Sequence, residues 1–234
     1  MRVTPSHAPR AGKARRRGFT RTDLLVSLAV AAVVMAIGGV RLHVTREKAG
    51  LARCTANLEQ VSRAVLSYAA DNDQTLPGAE VTDTGSPWWW YKEKVKRYVG
   101  VTGSASAADA VFACPNDRGY SDPIPFHANP RFDYGSYVFN GITLPGIPNI
   151  SGFRVNAIRQ PVRTLLVMEW CAHAPLSWHH SRTGLRNTPF YCDAESVVAH
   201  VDGHVSFSRM YYDGYNAAYT QDPIPGYDYQ YSGD

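Results

Sequence analysis

The sequence predicts an α+β protein: a long N-terminal helix, apolar first and amphipathic after, packed on an antiparallel β-sheet. Three observations predict this fold. Residues 24–40 carry no charged side chain. Apolar residues then recur every three or four positions from Leu51 to Tyr68, the period of an amphipathic helix. Further along, Asp202 and Gly203 lie between two segments of alternating apolar residues, which is typical of a β-hairpin.

The uncharged segment 24–40 is long enough to cross a membrane. As a helix it rises about 25 Å, close to the roughly 30 Å hydrocarbon core of a bilayer. Arg21 and Arg41 flank it, and their long side chains can reach the lipid headgroups. A signal peptide usually has a shorter apolar region with the cleavage site beyond it. We therefore predict a single membrane-spanning helix.

The positive charge of the chain is concentrated at its beginning. Residues 1–18 contain six basic side chains and no acidic one, which leaves 18 basic and 20 acidic side chains in the rest. The positive-inside rule then predicts that this leader lies in the cytoplasm and the bulk of the chain outside it. Because the basic residues are confined to the leader, we predict no nucleic-acid partner.

The stretch from Arg15 to Asp23 has a basic leader, then Gly18 and Phe19, then the apolar helix. It resembles the N-terminus of a type IV prepilin or a type II secretion pseudopilin. The resemblance implies that a prepilin peptidase cuts between Gly18 and Phe19 and methylates the new amine of Phe19. It also implies that Asp23 is the assembly carboxylate, since a carboxylate in lipid needs a partner and a neighbouring subunit's N-terminal ammonium can supply one.

The resemblance implies a structural subunit and not an enzyme. The subunit would wait in the inner membrane with its head in the periplasm, and assemble through its helix into a type II secretion or type IV pilus-like filament. Its partners would be prepilin peptidase and other pilin or pseudopilin subunits.

One alternative is an uncut anchor that carries a periplasmic binding or adhesive domain, with Trp88–Tyr91 and the tyrosine-rich tail as its surface. Another is a twin-arginine export signal at Arg16–Phe19.

Three segments of the head resemble a pseudopilin-like group with an expanded head: Cys54–Asp73, Phe112–Asp117 and Thr164–Trp170. The signature of that group is a His, nine residues, then Asp-Gly. Asp202-Gly203 matches its end, but Cys192 occupies the position of the His, and His179 and His180 lie too far upstream to replace it in register. We predict a leader at 1–18, a helix at 19–72, a head at 73–209 and a tail at 210–234.

The four cysteines allow three pairings. We favour a disulfide between Cys171 and Cys192, because both flank predicted strands.

With a two-residue turn at Asp202-Gly203, His200 and His204 would point to opposite faces of the hairpin, so we predict no metal site there. Some pseudopilin heads bind calcium in a C-terminal loop, but no EF-hand spacing occurs here. We predict no cofactor, with calcium left as an alternative without named ligands.

Overall fold

The computed structural model describes residues 20–79, 88–119, 124–142, 144–172, 176–179, 186–187, 190–191, 194–212 and 222–234. Its layout is α+β, as predicted: a long helix, α1 (Arg21–Asp71), precedes a four-stranded antiparallel sheet. A short helix, α2 (Tyr91–Val95), lies between them in the chain. The chain divides into two units between Val44 and Thr45, a boundary that falls inside α1.

In the first unit, α1 has no charged side chain from Leu24 to Val40 and apolar residues on all its sides there. Its large side chains from Leu24 to Val40 are about half or more exposed to solvent, and the helix is long and apolar enough to cross a membrane. A helix without a polar face needs lipid or other apolar surfaces around it. The helix runs without a break through Gly38, Gly39 and Gly50.

In the second unit, α1 is amphipathic as predicted. Cys54, Leu58, Val61 and Val65 are fully buried on one stripe, and each such apolar side chain contributes roughly 1.5–3 kcal/mol by its removal from water. Helical spacing places Asn57 on the polar face of α1, but its side chain is buried. Its amide donates to the carbonyls of Ala110 and Ala113, at 3.0 and 2.8 Å, and so ties α1 to the loop before Cys114.

In the sheet, the first, second, fifth and sixth strands of the chain lie side by side in that order. The first two lie within segments 136–140 and 164–170, where β-branched and aromatic residues predict strands, and they are shorter than those segments. Core residues from one face of the sheet, including Phe139 and Val197, cluster with the buried stripe of α1. Residues from the other face, including Met168 and Val198, cluster with tyrosines of the C-terminal tail. The strands are β1 (Tyr137–Phe139), β2 (Leu165–Glu169), β3 (Arg186–Asn187), β4 (Phe190–Tyr191), β5 (Glu195–His200) and β6 (Val205–Arg209).

The hairpin between β5 and β6 exists, but its predicted register is wrong by one residue. Val198 pairs with Ser206, and Val197 pairs with Phe207. A two-residue type I′ turn needs positive φ at both central residues. Here Gly203 has a φ of +94°, whereas Asp202 is not among the residues with positive φ, and the loop is one residue longer. His200 therefore lies opposite His204, and their rings stack at 4.1 Å between centroids instead of pointing to opposite faces.

The aromatic cluster belongs to the core. Trp89 and Trp90 are 2% and 6% exposed. Their ring N–H groups donate to the carbonyls of Gly135 and Gly141, at 2.7 and 3.2 Å. In the described part of the tail, Tyr229 and Tyr231 are also buried. These aromatic side chains are therefore unavailable as a surface for carbohydrate or another partner.

Candidate functional site

The N-terminus of α1 is closed by a reciprocal pair of side chains, Thr20 and Asp23. One carboxylate oxygen of Asp23 accepts hydrogen bonds from the backbone N–H and the hydroxyl of Thr20, at 2.9 and 2.8 Å. The Thr20 hydroxyl oxygen in turn accepts the backbone N–H of Asp23 at 3.2 Å. This is a capping box with Asp in place of the usual Glu. The predicted cleavage residues, Gly18 and Phe19, lie outside the described residues.

The capping box places the predicted assembly carboxylate beside the first backbone groups of the helix. Both contacts from Thr20 reach the same Asp23 oxygen, Oδ2. The sequence already contained the signal for this arrangement, a Thr followed three residues later by an acid before an apolar run. The resemblance to prepilins points to Asp23 alone. It does not indicate that Thr20 donates two hydrogen bonds to the Asp23 carboxylate.

A second group of side chains, all of types that can ligate a metal, lies buried in the head. Cys54 of α1, Cys114 of the following loop, Glu169 at the end of β2 and His179 of segment 176–179 meet at one point. All four are buried, and their ligand-type atoms lie within 4.8 Å of one another. Cys54 and Cys114, 60 residues apart in the chain, form a disulfide with a Cα–Cα distance of 4.8 Å.

The His179 ring is held on both sides. Its Nε2 lies 2.8 Å from Oε1 of Glu169 and 3.9 Å from Sγ of Cys114. Its Nδ1 lies 3.0 Å from the side-chain nitrogen of Asn116. The other Glu169 oxygen, Oε2, accepts the backbone N–H of Val197 at 2.9 Å. With the amide so oriented, the hydrogen-bond network assigns the ring proton to Nε2.

This geometry argues against a catalytic relay. In a Cys-His-acid relay, the imidazole binds the nucleophile through one nitrogen and the acid through the other. Here the same nitrogen, Nε2, faces both the sulfur of Cys114 and the carboxylate of Glu169. In addition, the sulfur of Cys114 is bonded to Cys54. The four side chains converge on a common centre, which is the arrangement of a ligand set.

Cys171, for which the sequence analysis favours a disulfide with Cys192, is a free thiol in the structure. Cys171 is buried and unpaired with another cysteine, and its sulfur lies 3.3 Å from the Ser196 hydroxyl. Cys192 itself lies outside the described residues. Burial raises the pKa of the Cys171 thiol well above its usual value, and the nearby Glu169 carboxylate adds to the effect. The thiol is therefore kept protonated and unreactive.

A further buried charge holds the loops beside α2. The ammonium of Lys92 is 3.0 Å from a carboxylate oxygen of Asp109 and 2.5 Å from the carbonyl of Asp133. It also lies over the ring of Phe112. Burial raises the pKa of the Asp133 carboxyl to about 6, although the positive charge of Lys92 opposes the shift. We assign Lys92 a structural role, because its ammonium binds the Asp109 carboxylate and the Asp133 carbonyl and so joins two loops to α2.

Three of the four residues at the buried centre come from segments that the sequence comparison had marked, around Cys54, Cys114 and Glu169. His179 was set aside because its distance along the chain from Asp202 did not fit. Its position is instead fixed by neighbours: Ser177 donates to the carbonyl of Glu195 at 3.0 Å, and the ring N–H of Trp178 donates to the carbonyl of Gly119. No protein-family model, curated protein or solved structure matches this chain.

Proposed function

We propose that the protein is a pseudopilin-like structural subunit. Prepilin peptidase cuts it between Gly18 and Phe19, and the mature chain then moves from the inner membrane into a filament through α1. The filament belongs to a type II secretion or type IV pilus-like machine, and the head stays on the periplasmic side. The protein is not an enzyme in this scheme, because the peptidase supplies the catalysis.

The observation that carries the proposal is the change of character within α1. Up to residue 40 its large apolar side chains are exposed, whereas from Cys54 onward one stripe is buried in the head. Among the described residues, one uninterrupted helix thus has an apolar half that is exposed to solvent and a half whose buried stripe belongs to the core of the head. A filament built through packed helices needs both halves.

The capping box adds a second support. Asp23 is exposed and lies at the N-terminus of the helix. The positive end of the helix dipole and the Thr20 donors already stabilise its negative charge. An ionised carboxylate at this position can also receive the N-terminal ammonium of a neighbouring subunit.

Cysteine crosslinking tests assembly. Leu28 is 58% exposed on α1, and Val162 is 56% exposed in the head. In a chain with Cys171→Ser and Cys192→Ser, expressed with prepilin peptidase and a pilus-type assembly machine, Leu28→Cys should give a ladder of crosslinked species. The control Val162→Cys should give few, and so should Leu28→Cys without the peptidase. A Leu28→Cys chain that stays monomeric with the peptidase and the machine present contradicts assembly through α1.

Variants at the capping box separate the two roles of Asp23. Asp23→Glu keeps the charge and restores the residue that prepilins carry, so the ladder should persist or strengthen. Asp23→Ala removes both the cap and the carboxylate, and the ladder should disappear. Thr20→Ala removes the cap but keeps the carboxylate, so crosslinking should survive. Loss of the ladder with Thr20→Ala alone would mean that capping, and not pairing with a neighbouring amine, is what Asp23 does.

A further inference from the structure

We propose that Cys54, Cys114, His179 and Glu169 bind a zinc ion when the two cysteines are reduced, and that the disulfide is the metal-free form of the same centre. The inference concerns the folded head and does not depend on the proposed function. It uses four side chains from four separate segments of the chain, all buried.

The spacing of the donor atoms suits zinc. Zinc binds sulfur at about 2.3 Å and nitrogen or oxygen at about 2.0–2.2 Å, so its tetrahedral ligands lie roughly 3.3–3.8 Å apart. The donor atoms here all lie within 4.8 Å of one another. Opening the disulfide lets the two sulfurs separate to the spacing of zinc ligands. Two thiolates, an imidazole and a carboxylate form a set that favours zinc over calcium or magnesium.

The orientation of the side chains also suits a metal. A metal-binding His usually presents one ring nitrogen to the ion and has the other held by a hydrogen bond. Nε2 of His179 faces the sulfur and the carboxylate, and Nδ1 is held by Asn116. Glu169 follows the same pattern, since Oε1 faces the centre and Oε2 is held by the N–H of Val197. Rotation of the Asn116 amide would let its oxygen accept a hydrogen bond from Nδ1–H when Nε2 binds the metal.

The position of Glu169 in the sheet is unusual for a structural side chain. The preceding residues of β2, from Leu165 to Met168, are all apolar and fully buried. A carboxylate at the end of such a strand loses its hydration, which costs several kcal/mol. An apolar residue of similar size at this position would avoid that cost. Binding a cation gives the buried carboxylate a function.

The change between the two forms balances in charge and atoms. A phosphine reductant takes the oxygen of one water molecule and becomes a phosphine oxide, and its two electrons with the two protons of that water convert the disulfide into two thiols. Zinc then displaces those two protons. The disulfide form carries the single negative charge of Glu169. The zinc form carries two thiolates, one carboxylate and a divalent cation, so its net charge is the same and metal binding adds no net buried charge.

The test is to refold the full chain in detergent with a phosphine reductant and one equivalent of Co²⁺. We expect one cobalt per chain, the visible absorption of tetrahedral cobalt, a thiolate charge-transfer band, and displacement by Zn²⁺. His179→Gln should weaken binding by at least 100-fold, and Asn116→Ala by about 10–100-fold. His204→Gln is the matched control, because it makes the same change at a histidine that bonds to Asp202 in the β5–β6 turn, outside the ligand set, and this variant should bind as the unchanged chain does.

Circular dichroism and tryptophan fluorescence of each sample show whether it has folded. A reduced, folded chain that binds no cobalt overturns the proposal. So does binding that survives both Cys114→Ser and His179→Gln, or binding that His204→Gln abolishes. If the ligand variants fail to fold, alkylation of the unchanged reduced chain decides instead. Zinc should protect Cys54 and Cys114 while leaving the labelling of Cys171 unaltered, and equal labelling with and without zinc contradicts the site.

Discussion

The Nε2–H group of His179 donates a hydrogen bond of 2.8 Å to the Glu169 carboxylate, and both side chains are shielded from solvent. The pair lies against the disulfide that joins α1 to the loop at Cys114. The buried centre therefore connects the helix, the sheet and two loops of the head. The following predictions refer to unfolding of the detergent-solubilised full chain in urea, followed by the fluorescence of the buried tryptophans.

Removing one member of the pair should be far more costly than removing both. His179→Leu leaves the Glu169 carboxylate buried without its partner, and we expect a loss of about 3–5 kcal/mol in the free energy of unfolding. In the double variant His179→Leu/Glu169→Leu, no charge remains to be stabilised, so part of that loss should be recovered. If the double variant is as unstable as the sum of the single variants, the two side chains are not coupled.

Gly50 makes room for the side chain that orients His179. A Cβ at residue 50 would collide with the amide of Asn116. In an ordinary helix, Gly→Ala stabilises by about 1 kcal/mol. Gly50→Ala should instead destabilise the head by about 1–3 kcal/mol through overpacking. The matched background is Asn116→Ala, in which the obstructing amide is absent and Gly50→Ala should be neutral or stabilising. A gain in stability with Asn116 intact would contradict the close approach.

Asp133 should make the head more stable as the pH falls from neutral. Burial raises the pKa of its carboxyl in the folded state to about 6, above the 3.8 that is usual for an exposed aspartate. A raised pKa means that the folded state holds the proton more tightly, so this stability is present below pH 3.8 and is lost as the pH rises through 6. Asp133→Asn should gain about 1 kcal/mol at pH 7, once partial exposure is allowed for.

The advantage of Asp133→Asn over the unchanged chain should shrink towards pH 4. Asn is suited to the backbone at this position, where φ is +50°. A constant difference between pH 4 and 7 would show that the carboxyl does not titrate as described.

His200 should have the opposite effect in the same pH range. Burial, together with the smaller effect of the neighbouring His204, lowers the pKa of His200 to about 4. The unfolded chain takes up the proton near pH 6.5 and the folded chain only near pH 4, so stability is lost as the pH falls through this window. His200→Gln should remove up to about 2–3 kcal/mol of that loss. An unchanged acid slope in His200→Gln would contradict the assignment.

The elements with a clear period were predictable from the sequence. The position of α1 could be predicted from the apolar segment 24–40 and the apolar stripe from Leu51 to Tyr68, because helical spacing is a local property of the sequence. The strands β1, β2, β5 and β6 followed from β-branched and aromatic runs with turn residues between them. The register of β5 and β6 did not follow, because it depends on whether Asp202 adopts positive φ beside Gly203.

The buried centre was not predictable as a unit. The disulfide from Cys54 to Cys114 depends on how α1 packs on a loop 60 residues away, and four cysteines alone leave three pairings open. His179 was missed because its place is set by contacts of Ser177 and Trp178 with distant backbone carbonyls. Long-range packing determines both features, and spacing along the chain carries little information about it.

The mature N-terminus of the protein, isolated from membranes of cells that contain a prepilin peptidase, tests the central claim most directly. Mass spectrometry should find a chain that begins at Phe19 with a methylated amine, and Gly18→Val should leave the leader in place. A mature chain that still carries the basic leader, with Phe19 unmodified within it, would contradict processing and with it assembly through α1.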